Sequence, residues 1–532
     1  MTKLYNIKIS QGVEFSLDSE LYSILERLLP VKFIVDDQSE IDTQGVIFRN
    51  AKGNENIVLT TPSLSLLSLT NAQNIPQELE TEVMFADEMD VPFPFRGRKV
   101  RTMLMQIGAV LSVSHNEKVL ASSEQGPIWS VSEIDGIKSF RSALALPYIS
   151  TKQNFNDVFN GGCFLEMLVL LEFIREISSD TVYYNAPLRA SFIIDDPNLH
   201  WSSYGFFDYR EIVRLSTKEN FHVSFATIPL DTWYTHSSTA DIFRENPQRI
   251  SLLIHGNNHA KEELGLSYSE ESRNALLGQA IYRVKRLEKK SKVPVCRVMV
   301  PPHGACSNNM LATLPKCGFE SACISAGSLR FHNPDRPWVK TLGFLPSEII
   351  EGCPVLPRWG LTGNVENTLL VAAYLGQPMI LRGHHQDLKS GGGKFIEFAR
   401  FINSLGSVFW SNMTDLSRLN YQWRMDGTIA RIKPFGRNIM FRLPKGAAEI
   451  IIDNSEIICN DAWQIVSVDG KQDKIKPNER FLVSELIGRQ ISIELNVVSQ
   501  PFVPLKDDFN PTPVRLILRR LLTETRDRMM WG

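Results

Sequence analysis

Two pairs of chemically active residues stand directly after apolar runs of strand length. Asp195 and Asp196 follow one such run, and His255 and His259, four residues apart, follow another. Imidazole and carboxylate groups bind divalent cations, and a second carboxylate beside such a ligand can act as a general base. The sequence therefore offers a candidate metal site with a candidate base next to it.

Two further segments supply a rigid turn and groups for proton transfer. The Pro-Pro-His-Gly turn at residues 301–304 follows a third apolar run, and His384 and His385 follow a fourth, with Asp387 close behind. An imidazole titrates near neutral pH, so strand-end histidines beside an acid suit proton transfer. Taken singly, such segments are also typical of ordinary turns and loop histidines. Nine of the ten histidines lie between His200 and His385, which gathers all four segments into the middle of the chain.

The elements that must position these groups alternate between strands and helices. The predicted strands are Ala190–Ile194, Val223–Ile228, Ser251–Ile254, Arg297–Val300, Ala322–Ser325, Pro378–Leu381 and Ser407–Trp410. Helical patterns lie between several of them, at Tyr209–Thr217, Arg273–Lys290 and Lys394–Leu405. This alternation indicates βαβ units and a parallel sheet. Over residues 186–422 it predicts an α/β fold, a distorted (β/α) barrel of about seven strands, whose strand ends share one face.

The flanking regions predict accessory structure. Residues 1–185 combine short β-like runs with helical patterns, which indicates an N-terminal α/β domain. The runs are Val31–Val35, Asn56–Thr60 and Gln106–Val113, and the helical patterns are Glu20–Leu29 and Asp157–Ile177. Short strands separated by Asp-Gly and Lys-Gly turns predict a small C-terminal all-β domain over residues 423–503.

The last residues, 504–532, predict an amphipathic C-terminal helix. Its apolar side is formed by Val514, Ile517, Leu518, Leu521 and Leu522, with arginines elsewhere. This pattern is typical of a helix that docks its apolar side onto the rest of the protein, and contact with a membrane or with RNA is the alternative. The helix also offers a surface for a homo-oligomer.

Composition narrows the classes of function. With 57 Lys+Arg against 59 Asp+Glu, the net charge of −2 gives no overall field for nucleic acid, and no nucleic-acid partner is expected. The seven cysteines form no C-x-x-C pair, which speaks against a zinc ribbon. The most apolar stretch, Phe164–Ile174, is too short for a membrane span and contains two glutamates. Since the N-terminus lacks a secretory pattern, we predict a soluble, cytoplasmic protein.

The four segments, in this order, resemble the polysaccharide deacetylase superfamily, which comprises the NodB-homology proteins and carbohydrate esterase family 4. That family carries a strand-end Asp-Asp pair, an H-x-x-x-H motif, a proline-containing turn and a late strand-end histidine. The resemblance covers about residues 188–422. It implies a distorted barrel and a divalent metal, for which Zn²⁺ suits two histidines and one aspartate best. The implied roles are Asp195 as general base, Asp196, His255 and His259 as metal ligands, and His384 or His385 as general acid.

The sequence departs from the family pattern at several positions, which indicates a divergent member. Gly256 stands where the family has Ser or Thr, and Pro197 stands where it has Gly. Val300 replaces the arginine that usually holds the base, and Arg297 and Arg382 are candidates for that part.

The resemblance predicts a metal-dependent hydrolase that removes an acetyl group from an N-acetylated sugar or a related carbohydrate. Tryptophans and tyrosines in the predicted loops could stack on sugar rings: Trp201, Tyr204, Trp233, Trp338 and Trp359. One alternative is hydrolysis of a non-sugar C–N bond on the same barrel, and another is a catalytically inactive carbohydrate-binding protein. An iron oxygenase with two histidines and a carboxylate ranks last, since such sites are typical of β-rolls.

Overall fold

The chain forms two compact units in a computed structural model. Unit 1 comprises Met1–Tyr183 and Trp338–Phe344, and unit 2 comprises Tyr184–Pro337 and Leu345–Gly532. The structure describes residues 3–9, 20–34, 43–50, 65–70, 79–104, 110–134, 136–144, 146–147, 149–160, 164–361, 365–389, 391–453, 464–468, 471–476, 478–483, 490–495 and 512–529. Among these residues, none of the helices combines the length and the apolar character needed to cross a bilayer.

Unit 1 contains a nine-stranded mixed sheet in the order β2-β1-β3-β4-β9-β8-β7-β5-β6. Its strands are β1 (Tyr5–Ile9), β2 (Val31–Ile34), β3 (Gly45–Asn50), β4 (Ser65–Thr70), β5 (Leu79–Phe85), β6 (Lys99–Leu104), β7 (Lys118–Ser123), β8 (Gly126–Ile134) and β9 (Ile137–Ser142). Its helices are α1 (Leu21–Leu28), α2 (Phe155–Asn160) and α3 (Phe164–Ile177). Four neighbouring pairs are parallel: β2-β1, β1-β3, β3-β4 and β4-β9. The other four pairs, β9-β8, β8-β7, β7-β5 and β5-β6, are antiparallel.

The helices and strands predicted for unit 1 agree with the observed ones only in part. The run Val31–Val35 overlaps β2, and α3 is buried from Phe164 to Leu171, which its nearly continuous apolar sequence explains. The run Asn56–Thr60 lies outside the described residues. The described part of Gln106–Val113, residues 110–113, contains no strand.

The segment Trp338–Phe344 completes unit 1 from far along the chain. The backbone N–H groups of Phe155 and Asn156 donate to the carbonyl oxygens of Lys340 (3.1 Å) and Leu342 (2.8 Å). The rings of Phe155 and Phe344 pack with centroids 5.2 Å apart. The start of helix α2 is therefore held by hydrogen bonds to a segment that comes much later in the sequence.

Unit 2 is built on a curled sheet of ten strands, in the order β18-β19-β17-β16-β15-β14-β11-β21-β20 with β22 paired to β11. The strands up to this point in the chain are β10 (Tyr184–Asn185), β11 (Arg189–Asp195), β12 (Ser203–Tyr204), β13 (Phe207–Asp208), β14 (Val223–Thr227), β15 (Ile250–His255), β16 (Val295–Val300), β17 (Ser321–Cys323), β18 (Glu348–Ile350), β19 (Cys353–Leu356), β20 (Trp359–Gly360), β21 (Met379–Gly383) and β22 (Phe409–Trp410). The helices are α4 (Tyr209–Glu219), α5 (Ser237–Glu245), α6 (Glu270–Ser291), α7 (Asn308–Thr313), α8 (Ala326–His332), α9 (Val365–Leu375), α10 (Gly393–Ser404) and α11 (Met413–Arg418). All pairs in this sheet are parallel except β18 with β19.

The strands of this sheet form because their residues are buried on both faces. Every residue of β11 and β14 is buried, which is typical of parallel strands covered by helices. Seven strands and α11 contribute side chains to one apolar cluster inside the curl: Ile193, Ala226, Leu253, Val298, Val300, Cys323, Leu356, Ile380, Met413 and Leu416. Each of the seven predicted strands overlaps an observed one, and β18, β19 and β20 were not predicted.

The remaining strands of unit 2 form two smaller sheets, in the orders β10-β23-β24-β26-β29 and β25-β30-β27-β28. Their strands are β23 (Tyr421–Asp426), β24 (Ile429–Pro434), β25 (Asn438–Arg442), β26 (Glu449–Ile452), β27 (Gln464–Val468), β28 (Lys471–Ile475), β29 (Arg480–Leu482) and β30 (Gln490–Glu494). Isoleucine and phenylalanine side chains from both sheets share one core, including Ile432, Phe441, Ile450 and Ile491.

The C-terminal helix α12 (Val514–Met529) contacts the rest of unit 2 through polar side chains. The guanidinium of Arg520 donates to Asp231 Oδ2 (2.6 Å), and Glu524 Oε1 lies 2.9 Å from His200 Nδ1. The prediction that the apolar side makes this contact is wrong, because those side chains are exposed. The physical reason is that a buried arginine needs a paired acid, and Asp231 supplies it.

Candidate active site

Three of the sequence-predicted ligands converge at the carboxyl ends of β11 and β15. Ligand atoms of Asp196, His255 and His259 all lie within 4.8 Å of one another, and no other such group of His, Cys, Asp or Glu occurs among the described residues. The Oδ1 atom of Asp196 is 3.1 Å from His259 Nε2 and 3.5 Å from His255 Nε2. This geometry suits a single cation bound between the three side chains.

The hydrogen bond of His255 tests whether the group fits a metal. Its Nδ1 lies 2.8 Å from the carbonyl oxygen of Val300, which can only accept, so Nδ1 carries the proton. Nε2 faces the carboxylate of Asp196, so either a proton or a metal ion is needed between these two atoms. A histidine whose Nδ1–H is held by a backbone carbonyl while Nε2 faces a carboxylate is typical of metal-bound histidine. The site therefore fits a divalent metal.

The electrostatics of the cluster favour a bound cation. Burial raises the pKa of Asp196, but the contacts with His255 and His259 outweigh it and hold this pKa well below its usual range. Burial lowers the pKa of His255, yet the negative charges of Asp195 and Asp196 raise it overall. Asp196 is therefore ionised, as a metal ligand must be.

A buried carboxylate, Glu263, shapes the loop that carries His259. It accepts hydrogen bonds from the backbone N–H groups of Asn257 (2.6 Å), Asn258 (3.0 Å) and His259 (2.9 Å). His259 itself has a φ of 54°. The loop is thus wound around one acid, and the winding turns the His259 ring toward Asp196. Glu263 was not predicted, because no sequence motif marks it.

The glycine at position 256 is explained by the same winding. Gly256 has a φ of 61°, and a Cβ there would lie 2.4 Å from Glu263 Oε1 and 2.6 Å from Pro302 Cγ. A serine or threonine, as in the family motif, would be both strained and sterically blocked. The departure at this position is a consequence of the Glu263 anchor.

Replacing Gly256 with alanine is expected to weaken zinc binding at least tenfold, because the loop must move to admit the Cβ. Gly427 is a matched control, since it has a φ of 60° and nothing within 4 Å of the added Cβ. Both variants carry about 1–2 kcal/mol of left-handed backbone strain. Isothermal titration with Zn²⁺ should show weaker binding in G256A only, and equal affinities would contradict the proposed fit.

The neighbouring acid, Asp195, has a different partner. Its Oδ2 lies 3.4 Å from Arg358 Nη1, and both side chains are buried. Its Oδ1 is buried and has no hydrogen-bond partner among the described residues. One oxygen of Asp195 is thus held by a guanidinium while the other can accept a proton.

The arginine that contacts Asp195, Arg358, was not predicted from the sequence. Arg297 donates instead to Glu288 Oε2 (2.7 Å), so its predicted part is wrong. Arg382 stands opposite Ile193 in the pairing of β21 with β11, two residues before Asp195. Burial and the charge of Arg358 lower the pKa of Arg382, and the charge of Asp195 opposes that shift. The only signal for Arg358 was its place just after an apolar run, Cys353–Leu356.

The two late histidines have different surroundings. His384 follows β21, whose Gly383 pairs with Ile194 of β11, so His384 and Asp195 are the next residues along two adjacent parallel strands. The ring of His385 is buried and stacks on Phe206, with centroids 5.5 Å apart. Asp387 Oδ2 accepts from the backbone N–H of His384 (2.8 Å).

A proline-containing turn brings a third imidazole against the cluster. His303 has a φ of 57°, and its ring meets that of His259 edge-on with centroids 5.3 Å apart. Burial and the charges of His259 and His255 lower the pKa of His303. The lowered pKa favours the neutral ring of His303, which packs directly against the ring of His259.

The predicted sugar-stacking aromatics are spread over the molecule. Trp201 and Trp233 are about half exposed, whereas Tyr204 is buried. Trp359 begins β20, and Trp338 belongs to unit 1.

No protein-family model and no curated protein matches the chain. Among solved structures, a proposed polysaccharide deacetylase from Mycobacterium smegmatis is 14% identical, with a TM-score of 0.32, covering 43% of this chain and 92% of that one. A family 4 carbohydrate esterase from Streptomyces lividans is 8% identical (TM-score 0.24; 41% and 88% covered), and a peptidoglycan deacetylase from Bacillus subtilis is 12% identical (TM-score 0.25; 44% and 92% covered). Likeness at this level says nothing about the chemistry of this chain.

Proposed function

We propose that this chain is a metal-dependent hydrolase that removes an acetyl group from an N-acetylated sugar. The observation that carries the proposal is the different pairing of two adjacent acids. Asp196 meets two histidines, whereas Asp195 meets Arg358 and keeps one oxygen without a partner among the described residues. Such a division separates a metal ligand from a proton acceptor.

The proposed roles follow from these contacts. A divalent metal held by Asp196, His255 and His259 would polarise the acyl carbonyl and lower the pKa of water. Arg358 holds Oδ2 of Asp195, so that Oδ1 accepts the proton of the attacking water. The Nδ1–H of His255 stays on the Val300 carbonyl and keeps its ring in position.

We assign the general acid to His384 and a structural part to His385. The side chain of His384 accepts a hydrogen bond from the backbone N–H of Asp387. In that form the ring is neutral, so as the general acid His384 would first take up a second proton. The imidazolium would then give one proton to the departing amine and return to the neutral ring. His385 is instead enclosed by the rings of Tyr204 and Phe206.

The test compares H384Q with H385Q in acetate release from N-acetylglucosamine and its oligomers, with zinc supplied. Loss of a general acid is expected to cost about 10²–10⁴-fold in H384Q, and H385Q is expected to keep most of the activity. With 4-nitrophenyl acetate, whose leaving group departs without a proton, H384Q should approach the wild type.

Three outcomes would contradict the proposal in distinct ways. A larger loss in H385Q would exchange the two roles. Release of an amine only from non-sugar amides would favour the alternative hydrolase. Sugar binding without any acetate release by the zinc-loaded protein would identify a carbohydrate-binding protein.

A further inference from the structure

Helix α12 directs its apolar side away from the barrel. Its five predicted apolar side chains are exposed by between 41% and 71%: Val514 69%, Ile517 41%, Leu518 55%, Leu521 43% and Leu522 71%. Their spacing places them along one side of the helix over about two and a half turns. A continuous apolar stripe of this length is uncommon on a surface that faces only water.

The helix is held in this orientation by two charged contacts, made by Arg520 and Glu524, which lie outside the apolar stripe. Arg520 and Asp231 form a buried ion pair, with exposures of 7% and 5%. Glu524 contacts the buried His200, whose Nε2 bonds to the Asp231 carbonyl oxygen (2.8 Å). Because a buried pair is costly to break on one side only, the apolar stripe is held outward.

The charges beside the stripe are positive. Arg515 and Arg519 are exposed. Among the side chains described for α12, Glu524 is the only carboxylate, and it is turned onto His200. The outer side of the helix therefore combines apolar area with positive charge and lacks an acid among the described residues.

Exposed aromatic side chains border the place where the helix docks. Trp233 contacts the ring of His200 with centroids 4.9 Å apart, and Tyr234 lies beside it at 5.9 Å. Trp201, Trp233 and Tyr234 are exposed by 53%, 55% and 45%. Tryptophan and tyrosine are the residues enriched at the interface between water and lipid.

We propose that α12 and this aromatic border form a docking surface for an anionic lipid bilayer. The helix would lie in the plane of the interface, with its leucines among the acyl chains and Arg515 and Arg519 among the headgroups. A second copy of this chain fits less well, because pairing two such helices would bring arginine against arginine with no described acid between them. A nucleic acid fits the arginines but leaves the leucines exposed to water.

The docking surface adjoins the candidate active site. The guanidinium of Arg283 donates to Thr512 Oγ1 (2.5 Å), two residues before α12, and to Asn258 Oδ1 (2.8 Å), in the loop that carries His259. One arginine therefore connects the start of the helix to the loop of a candidate metal ligand, and bilayer docking would bring the site close to the headgroups.

The test is flotation of the full-length protein with vesicles of phosphatidylcholine alone and of phosphatidylcholine with phosphatidylglycerol. Binding is expected only to the anionic vesicles and is expected to fall with added salt. R515Q/R519Q should weaken it about thirtyfold, at about fivefold for each charge near the surface. L518S/L522S should weaken it by about tenfold or more for each leucine.

Two exposed residues outside α12 serve as matched controls. Leu482, exposed by 73%, and Lys445, also exposed, should tolerate L482S and K445Q with no change in vesicle binding. Because no variant touches the metal cluster, zinc content and acetate release from a soluble sugar should stay at the wild-type level in all of them.

Three results would overturn the proposal. The first is a wild-type protein that does not float with anionic vesicles. The second is a wild-type dimer in sedimentation velocity that L518S/L522S converts to a monomer, which would make the stripe an interface between copies. The third is RNA binding that R515Q/R519Q abolishes and L518S/L522S leaves intact, in place of vesicle binding.

Discussion

Alanine at both His255 and His259 is expected to remove the bound zinc and to reduce acetate release by at least about a thousandfold, because the metal supplies several kcal/mol of charge stabilisation. Elemental analysis of the purified proteins should give one ion per chain for the wild type and none for the variant. Both side chains approach the same oxygen of Asp196, so neither alone completes the site.

H303A is the matched control for this prediction. Its ring touches that of His259 but is not part of the ligand group, so the ion should stay bound. A wild-type protein that takes up no divalent ion, even when ions are supplied, would rule out the metal site. Full retention of zinc by the double variant would place the ion elsewhere.

Removing Arg358 is expected to be strongly destabilising, whereas removing it together with the Asp195 charge is not. R358M leaves a buried carboxylate without its partner, at a cost of about 3–5 kcal/mol in the free energy of unfolding. The double variant R358M/D195N should recover most of that loss. D195N alone leaves the buried guanidinium of Arg358 without its acid, so it should lose a similar free energy of unfolding, about 3–5 kcal/mol. The activity of its folded fraction should fall about 10²–10⁴-fold, because the proton acceptor is gone.

The control is R297M, which removes an arginine whose side chain is 24% exposed and whose partner Glu288 is 26% exposed. A partly exposed pair is expected to cost only about 0–1 kcal/mol, so urea unfolding should separate the two arginines clearly. If R358M and R358M/D195N were equally destabilised, the loss would come from packing rather than from the unpaired acid.

Seven strands of the curled ten-stranded sheet could be predicted, because burial on both faces produces short apolar runs in the sequence. β11, β14, β15 and β21 are short apolar runs, and candidate site residues stand at the ends of β11, β15 and β21. The three unpredicted strands are only two to four residues long, and β19 contains a proline, so neither length nor composition marked them.

The cluster of Asp196, His255 and His259 could also be predicted, since parallel strands bring their carboxyl ends to one edge of the sheet. Arg358 could not, because its contact with Asp195 joins residues far apart in sequence and no spacing rule covers it. Glu263 was missed for another reason, as it binds backbone N–H groups, which every residue provides.

The orientation of α12 shows what amphipathic spacing does and does not determine. The spacing correctly groups Leu518 with Leu522 on one side. It does not state which side faces the protein, because that depends on Arg520 finding Asp231, a partner on a distant loop. A single buried ion pair thus reversed the expected orientation of the helix.

Because unit 1 consists of two separate segments of the chain, its folding can be completed only late in synthesis. Unit 1 cannot be complete until residue 344 has been synthesised, because Lys340 and Leu342 bond to the start of α2. By then the first five strands of the ten-stranded sheet of unit 2 (β11, β14, β15, β16 and β17) have already been synthesised. The chain crosses between the units three times, so neither unit can be exchanged as a cassette by a single recombination event. A fragment ending at residue 183 would lack part of its own unit, and its complement would carry that part without a partner.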